Sequence, residues 1–374
     1  GTTRTRIDTE TNLLDILDKV HEISLEAVDT THIFTLSQVY EGLLLKMGER
    51  GNDGGQFFTP REIIRAIVRV VDPKIGETLY DPGCGTGGFL AQSYEHMAGA
   101  KNERIKRPDQ LETLRQRTFY GREKDNAIYP IALANLMLHG IDEPHLWHGN
   151  TLTGHETYGG LFGEAPTLYD VILMNPPFGG KEGQAAQTNF AFKTSATQVL
   201  FVQHVIDSLK PGGRCGIVLD EGVLFRTNET AFVQSKRNLL DDCDLWCILS
   251  LPAGVFAAAG AGVKTNLLFF NKGGPTKKVW YYELSHIKVG KKTPLTLRHF
   301  DDFFKLMAKR ADSPHSWMLT RKEIEARNFD LKAVNPNAKA EEDGRTPEEL
   351  LDLIEAKGKE VAEAVATLRA SLRS

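Results

Sequence analysis

Short apolar runs alternate with amphipathic stretches through most of the chain. Between about residue 55 and residue 285, apolar runs end in Gly, Pro or Asn and are separated by stretches with helical periodicity. This alternation predicts an α/β fold, in which a mostly parallel sheet has helices on both faces. The expected strands are residues 78–80, 119–122, 146–148, 169–174, 215–219, 245–251 and 266–270.

Both ends of the chain have helical patterns instead. Residues 1–54 repeat apolar side chains at helical spacing, which predicts a helical region before the loop at 49–55. Residues 301–345 are expected to form a connecting region that ends in a polar stretch. Residues 346–374 begin with Thr-Pro-Glu-Glu, which is typical of a helix start, and predict one long helix. Its apolar stripe would either fold back on its own domain or contact another subunit.

Composition excludes several classes of protein. Charged residues make up 25% and apolar residues 41%, which is ordinary for a globular protein. The net charge of −4 excludes a small, strongly basic DNA-coating protein, although a local basic patch or a partner subunit could still supply phosphate contacts. The longest apolar run is shorter than the roughly 20 residues that cross a bilayer. Four cysteines are too few for a disulfide framework, so we expect a cytoplasmic protein.

A glycine-rich loop, LYDPGCGTGGFL at residues 79–90, follows the first predicted strand and opens a helix. Glycines let the backbone approach a ligand closely, and the helix N-terminus offers unpaired N–H groups to it. Gly83, Gly85 and Gly88 satisfy the G-x-G-x-x-G spacing, so the loop also matches the pattern of a dinucleotide-binding site. The loop alone therefore predicts a ligand site without fixing the ligand.

Acidic residues at the strand ends narrow the choice of ligand. Asp81 would repel a pyrophosphate and attract a cationic amino or sulfonium group. The next acidic strand end is Glu123, 42 residues beyond Asp81, whereas the dinucleotide fingerprint expects about 20. We interpret Glu123 as an acceptor for ribose hydroxyls. Asn150, after the third strand, could contact a purine edge through its amide or could simply be a turn residue.

The sequence Asn175-Pro176-Pro177-Phe178 ends the predicted buried strand at 169–174. The prolines stiffen the backbone, so a rigid turn is one interpretation. A polar amide and an aromatic ring beside a ligand loop also suit alkylation of an aromatic exocyclic amine, which is a weak nucleophile. Asn175 Oδ1 and the Pro176 carbonyl would accept the two amine hydrogens and stabilise the developing charge. Phe178 would stack on the base, which would have to be flipped out of a duplex.

These residues resemble the DNA-methylation subunit of type I restriction–modification systems, an adenine-N6 methyltransferase with a Rossmann-like sheet. The resemblance implies a methyltransferase domain over residues 55–300, preceded by part of a longer helical domain at 1–54. It implies methyl transfer from S-adenosylmethionine to N6 of a flipped adenine in double-stranded DNA. The segments that carry it are GQFFTPRE (55–62), the glycine loop, NLMLHG (135–140), the NPPF loop, LKPGGRCGIVLDEGVLF (209–225) and VKTNLLFF (263–270).

The resemblance also implies roles for individual residues. Asn175, Pro176, Pro177 and Phe178 would be the catalytic set, with no metal ion. Asn150 stands where many methyltransferases carry Asp, and Asp220 stands where relatives often have Pro. The implied S-adenosylmethionine site consists of Gln56, Phe58, Thr59, Pro60, Asp81, Gly83, Cys84, Gly85, Thr86, Glu123, Asn150, Thr151, Leu152 and Asn175.

The family implies several protein partners. These are a specificity subunit that reads the DNA sequence, a second methylation subunit and a restriction motor subunit. The helix at 346–374 is our candidate for docking on the specificity subunit.

Three other functions remain open at this point. A protein N5-glutamine methyltransferase uses a similar loop on an amide nitrogen. The other two are a dinucleotide-binding oxidoreductase and a non-catalytic scaffold with the same fold.

Overall fold

The computed structural model describes residues 59–99, 102–158, 165–256, 263–290, 293–337 and 346–371, with positions 9, 11 and 14. The chain divides into two compact units, Gly1–Pro336 and Asn337–Ser374. Apart from those three isolated positions, the predicted N-terminal helical region at 1–54 lies outside the described residues, as do Gln56 and Phe58. Within the described ranges, no helix is both long enough and apolar enough to cross a membrane.

A ten-stranded sheet forms the centre of the first unit, in the order β10-β9-β7-β8-β6-β5-β1-β2-β3-β4. Strands β4, β8 and β10 run antiparallel to their neighbours, and the remaining pairings are parallel. The predicted mostly parallel sheet is therefore confirmed. The strands are β1 Leu79–Asp81, β2 Phe119–Glu123, β3 His145–Asn150, β4 His155–Tyr158, β5 Tyr169–Met174, β6 Leu209–Asp220, β7 Cys243–Ser250, β8 Thr265–Lys272, β9 Lys278–Glu283 and β10 Ser316–Thr320.

Helices cover both faces of this sheet because successive side chains of a strand point to opposite sides. In β5, Val171 and Leu173 belong to one apolar cluster, whereas Ile172 and Met174 belong to the other. The first cluster contains residues of α1, α2 and α4, and the second contains residues of α6 and α8. The helices are α1 Arg61–Val71, α2 Gly88–Ala98, α3 Pro108–Gln116, α4 Ile128–Leu138, α5 Gln184–Gln187, α6 Thr197–Ser208, α7 Glu221–Phe225, α8 Thr230–Asp242, a 3₁₀ helix Leu297–Phe300, α9 Asp301–Met307, α10 Arg321–Ala326 and α11 Pro347–Ser371.

Strand β1 lies where the chain changes direction across the sheet. It pairs with β2 on one side and with β5 on the other. In open α/β sheets, ligands bind beyond the carboxyl ends of the strands at such a switch point. The glycine loop after β1 and the NPPF loop after β5 are therefore neighbours.

The region at 301–345 contains regular secondary structure. It was expected to be a connection, but it contains α9, α10 and β10, and β10 pairs antiparallel with β9. Strand β9 was also missed, although its Val279–Tyr282 segment is fully buried. The sheet therefore extends two strands beyond the predicted set on this side.

The second unit contains α11, close to the predicted helix. Thr346 and Glu349 form the expected capping pair: the Thr346 N–H donates to the Glu349 carboxylate at 2.7 Å, and the Glu349 N–H donates to Thr346 Oγ1 at 3.2 Å. The apolar side chains of Leu351, Ile354 and Val361 are exposed.

Candidate functional site

A cavity of about 270 Å³ lies at the carboxyl ends of β1, β2, β3 and β5. Most of the sequence-predicted site residues line it, although they come from four separate loops and the start of α1. Pro60, Leu152 and Pro176 are described but do not line the cavity. The predicted residues that line it are Thr59, Asp81, Gly83, Cys84, Gly85, Thr86, Glu123, Asn150, Thr151, Asn175, Pro177 and Phe178.

The glycine loop after β1 turns back toward β2. The Cys84 N–H donates to the Arg122 carbonyl at 2.9 Å, and the Gly87 N–H donates to the Cys84 carbonyl at 2.8 Å. Gly85 and Gly87 have φ of 53° and 81°, in the left-handed region that favours glycine. A Cβ atom at Gly87 would also lie 3.3 Å from Leu136. These two positions therefore require glycine for the turn itself.

Side chains from neighbouring elements hold this loop in place. Asn135 Nδ2, from α4, donates to the Thr86 carbonyl at 2.8 Å, and Thr151 Oγ1 donates to the Pro82 carbonyl at 2.5 Å. Thr151 was predicted to bind the cofactor, and it supports the loop as well as lining the cavity. Cys84 is buried, and burial raises the pKa of its thiol, so it stays protonated.

Glu123, at the end of β2, joins two loops beneath the cavity. Its Oε2 accepts the Gly85 N–H at 3.0 Å and its Oε1 accepts the Asp125 N–H at 2.7 Å. Each carboxylate oxygen has a second lone pair, so a ribose diol can still be accepted. Burial raises the pKa of Glu123. The sequence predicted a ligand contact here, and the structure adds the support of the glycine loop.

Asp81 is the most buried acid of the site, with 1% of its surface exposed. Its Oδ1 accepts the Gly83 N–H at 3.2 Å. Burial raises the pKa of Asp81 to about 8, and the nearby Glu123 acts in the same direction. A cation in the cavity would favour the charged carboxylate, whereas a pyrophosphate would oppose it.

Asn150 has the turn role that the sequence left open. Its Oδ1 accepts the Leu152 N–H at 3.0 Å, an Asx-turn contact, while the residue also lines the cavity. Leu152 itself is 2% exposed and packs in the apolar core. Its side chain packs in the core and does not line the cavity, so its predicted role as a cofactor contact stays a prediction.

The loop after β5 presents the amide of Asn175 to the cavity. Asn175 Nδ2 donates to Thr59 Oγ1 at 2.9 Å. Asn175 Oδ1 is buried and has no hydrogen-bond partner among the described residues. An unsatisfied buried acceptor is costly and calls for a partner from outside the chain. Asn175, which lines the cavity, therefore carries an oxygen acceptor that the described chain leaves unsatisfied.

The rest of this loop is fixed by packing. The Phe178 ring is half-buried and meets the buried Phe256 edge-on, with ring centroids 5.2 Å apart. Gln198 Nε2 donates to the Pro177 carbonyl at 3.5 Å, and its Oε1 accepts the Asp220 N–H at 3.2 Å. Asp220, the position where relatives often have Pro, caps α7 by accepting the N–H of Val223. The NPPF loop is thus tied to β6 and α7.

Sequence reasoning missed some residues of the cavity wall. Thr197 and Phe201 reach it from α6, and Lys181 and Glu182 follow the NPPF loop. Thr197 Oγ1 donates to Glu182 Oε1 at 3.2 Å. The α6 residues belong to no motif, and only the packing of α6 brings them to the cavity.

Comparison with protein families identifies relatives of the chain. Residues 31–344 match a family model described as N-6 DNA methylase. The chain is 36% identical to the methylase subunit of the type I restriction enzyme EcoEI of Escherichia coli, over 96% of this chain and 73% of that protein. It is 35% identical to the EcoKI methylase subunit of Escherichia coli K12, over 74% of this chain and 53% of that protein.

Solved structures give the same result. A chain from a study of complex assembly and conformational transition of a type I R-M system superposes with a TM-score of 0.79 at 38% identity, over 97% of this chain and 75% of that chain. The crystal structure of the EcoKI M protein superposes with a TM-score of 0.64 at 30% identity, over 85% of this chain and 73% of that chain.

Proposed function

Since the chain belongs to the N-6 DNA methylase family, we propose that it transfers a methyl group to N6 of an adenine flipped out of double-stranded DNA. We assign it the part of modification subunit in a type I restriction–modification complex, with S-adenosylmethionine as the methyl donor. The observation on which this depends is the buried Asn175 Oδ1, an acceptor at the cavity without a partner in the described chain.

The residues around the cavity fit S-adenosylmethionine in charge and polarity. Asp81 suits a cationic group, and Glu123 keeps lone pairs for a ribose diol while it holds the glycine loop. The loop's glycines allow close approach of the ligand. When bound, this donor supplies a methyl group that its sulfonium has already activated.

Asn175 would act on the nucleophile. The adenine amine donates its lone pair into the ring, so its nitrogen attacks poorly. Asn175 Oδ1 accepts one amine N–H. The proposed acceptor for the other is the neighbouring Pro176 carbonyl, although Pro176 itself is outside the cavity lining. These contacts favour a tetrahedral nitrogen, stabilise its developing positive charge and hold it in line for attack. The surplus proton then leaves to water, because amide oxygens are weak bases.

Phe178 would hold the extruded base. Its ring lines the cavity and is braced edge-on by Phe256. Stacking on an aromatic side chain contributes about 1–3 kcal/mol per base, which offsets part of the cost of extrusion.

The partner expected for α11 is the specificity subunit. The exposed apolar residues Leu351, Ile354 and Val361 recur at helical spacing and suit a second helix. Ile354→Glu should abolish co-purification with the specificity subunit, whereas Asp352→Lys, about 200° around the helix, should leave it intact. Unchanged assembly after Ile354→Glu would refute this docking site.

A competition assay tests the enzymatic assignment. The chain, co-expressed with its specificity subunit, is given tritium-methyl S-adenosylmethionine together with target DNA and a glutamine-bearing protein. We expect the label on N6 of adenine in DNA. Label on protein glutamine would instead support the glutamine methyltransferase, and no transfer to either substrate would support a scaffold.

A further inference from the structure

We propose that Thr59 is a positioning residue for the acceptor amide of Asn175, and not a residue that binds the methyl donor. The inference rests on the proposed function. The family resemblance implies that Thr59 binds the methyl donor. Our inference instead gives Thr59 a role on the other side of the reaction, at the adenine amine that attacks.

The contact joins two distant parts of the chain. Thr59 directly precedes the helix start at Pro60, and Asn175 follows the last residue of β5, 116 residues later in the sequence. Asn175 Nδ2 donates to Thr59 Oγ1 at 2.9 Å, and both residues line the cavity. The other end of the same amide, Oδ1, is the buried atom without a partner in the described ranges. The protein thus holds one end of the amide and leaves the other end unsatisfied.

The orientation of this amide decides whether it can act. An amide presents either an acceptor oxygen or a donor NH₂ group to the cavity. Only the oxygen can accept a hydrogen from the adenine amine, since two facing donors would leave both unsatisfied. By accepting from Nδ2, Thr59 occupies the donor end. Oδ1 is then the end of the amide that the described chain leaves for a ligand.

Thr59 directly precedes a helix that is anchored to the rest of the domain. The Pro60 carbonyl accepts the Ile63 N–H at 2.9 Å in the first turn of α1. Ile63 and Ile67 on this helix are completely buried in the core. Glu62, in the same turn, accepts the Leu297 N–H at 2.9 Å. A positioning group must be fixed by its surroundings, and the start of α1 meets that requirement.

Two substitutions at Thr59 test this role. Thr59→Val keeps the shape of the side chain and removes the hydroxyl. We expect the single-turnover rate of methyl transfer to fall about tenfold, the equivalent of one hydrogen bond of about 1.4 kcal/mol. The donor dissociation constant, measured by calorimetry, should stay unchanged. The fluorescence of 2-aminopurine at the target position, which reports base extrusion, should also stay unchanged. Thr59→Ser keeps the hydroxyl and should restore most of the rate.

The outcomes separate the inference from the proposed function. A Thr59→Val protein that binds the donor more weakly and transfers methyl at the normal rate would make Thr59 a donor-binding residue and overturn the inference. An unchanged rate, or a Thr59→Ser variant as slow as Thr59→Val, would also overturn it. If Thr59→Val does not fold, Thr59→Ala, which also lacks the hydroxyl, replaces it in the same rate and affinity measurements. Failure of the wild-type complex to methylate DNA would instead refute the proposed function.

Discussion

The buried carboxyl of Asp81 should make donor binding depend on pH. It is 1% exposed, and burial raises its pKa to about 8. At neutral pH the free protein therefore holds this group mostly protonated. A cationic ligand in the cavity favours the carboxylate, so binding should expel the proton. A pyrophosphate would have the opposite effect, because an anionic ligand favours the neutral, protonated carboxyl.

The size of the effect follows from the ionised fraction. With a pKa of about 8, about 1% of Asp81 is ionised at pH 6 and about 9% at pH 7. The donor dissociation constant should therefore fall about ninefold across that interval. The donor's own α-amino group, with an ordinary pKa of about 8, remains charged over the same range. At pH 7, binding should release about 0.9 proton per donor.

Calorimetry in two buffers of different ionisation enthalpy measures this proton release directly. The slope of the observed enthalpy against the buffer enthalpy gives the number of protons released. Asp81→Asn should bind the donor more weakly and lose both the proton release and the pH dependence of affinity. A constant affinity between pH 6 and pH 7 with no proton release in the wild type would refute the electrostatic role given to Asp81.

Three further predictions concern the same cavity. Glu123→Gln should weaken donor binding at least tenfold and lower the Tm, because the glutamine NH₂ group would face the N–H of Gly85 or Asp125. An unchanged donor affinity in calorimetry would contradict this. Phe178→Ala should raise the KM for DNA about tenfold or more with donor affinity unchanged, and loss of donor affinity instead would place Phe178 in the donor site. Because the pKa of Asp81 is higher in the folded protein than in the unfolded chain, protonation of this carboxyl stabilises the donor-free folded protein. This stabilisation is complete below about pH 4 and is lost as the pH rises through about 8. At pH 8, Asp81→Asn should therefore have a higher Tm than the wild type. A Tm equal to or below that of the wild type would contradict a destabilising effect of the ionised Asp81.

Local patterns predicted much of the fold. The strand at Tyr169–Met174 was predicted with its observed bounds, because a continuous apolar run that ends in Asn-Pro-Pro leaves little choice. The start of α11 was equally well marked by Thr346, Pro347 and Glu349. Strand β10 was not predicted, since an edge strand of five residues depends on its pairing with β9 rather than on its own periodicity.

The residues of the site likewise divide into those with a local sequence signal and those without one. The glycines, acids and NPPF loop were found because each follows a strand, and parallel strands bring their carboxyl ends together. The contact between Thr59 and Asn175 has no local signal, because packing joins residues 116 apart. The same applies to the support of Gly85 by Glu123, for which the sequence suggested a ligand partner only. Sequence patterns found most of the residues that line one cavity, whereas the hydrogen bonds among them required the structure.

The most direct test of the account is single-turnover methyl transfer by Asn175→Ala, assembled with its specificity subunit and saturated with donor. If Asn175 Oδ1 accepts the adenine amine, transfer should be abolished, while the calorimetric donor affinity and the 2-aminopurine signal for base extrusion stay close to wild type. Normal transfer by this variant, or loss of donor binding with transfer intact at high donor concentration, would contradict the central claim.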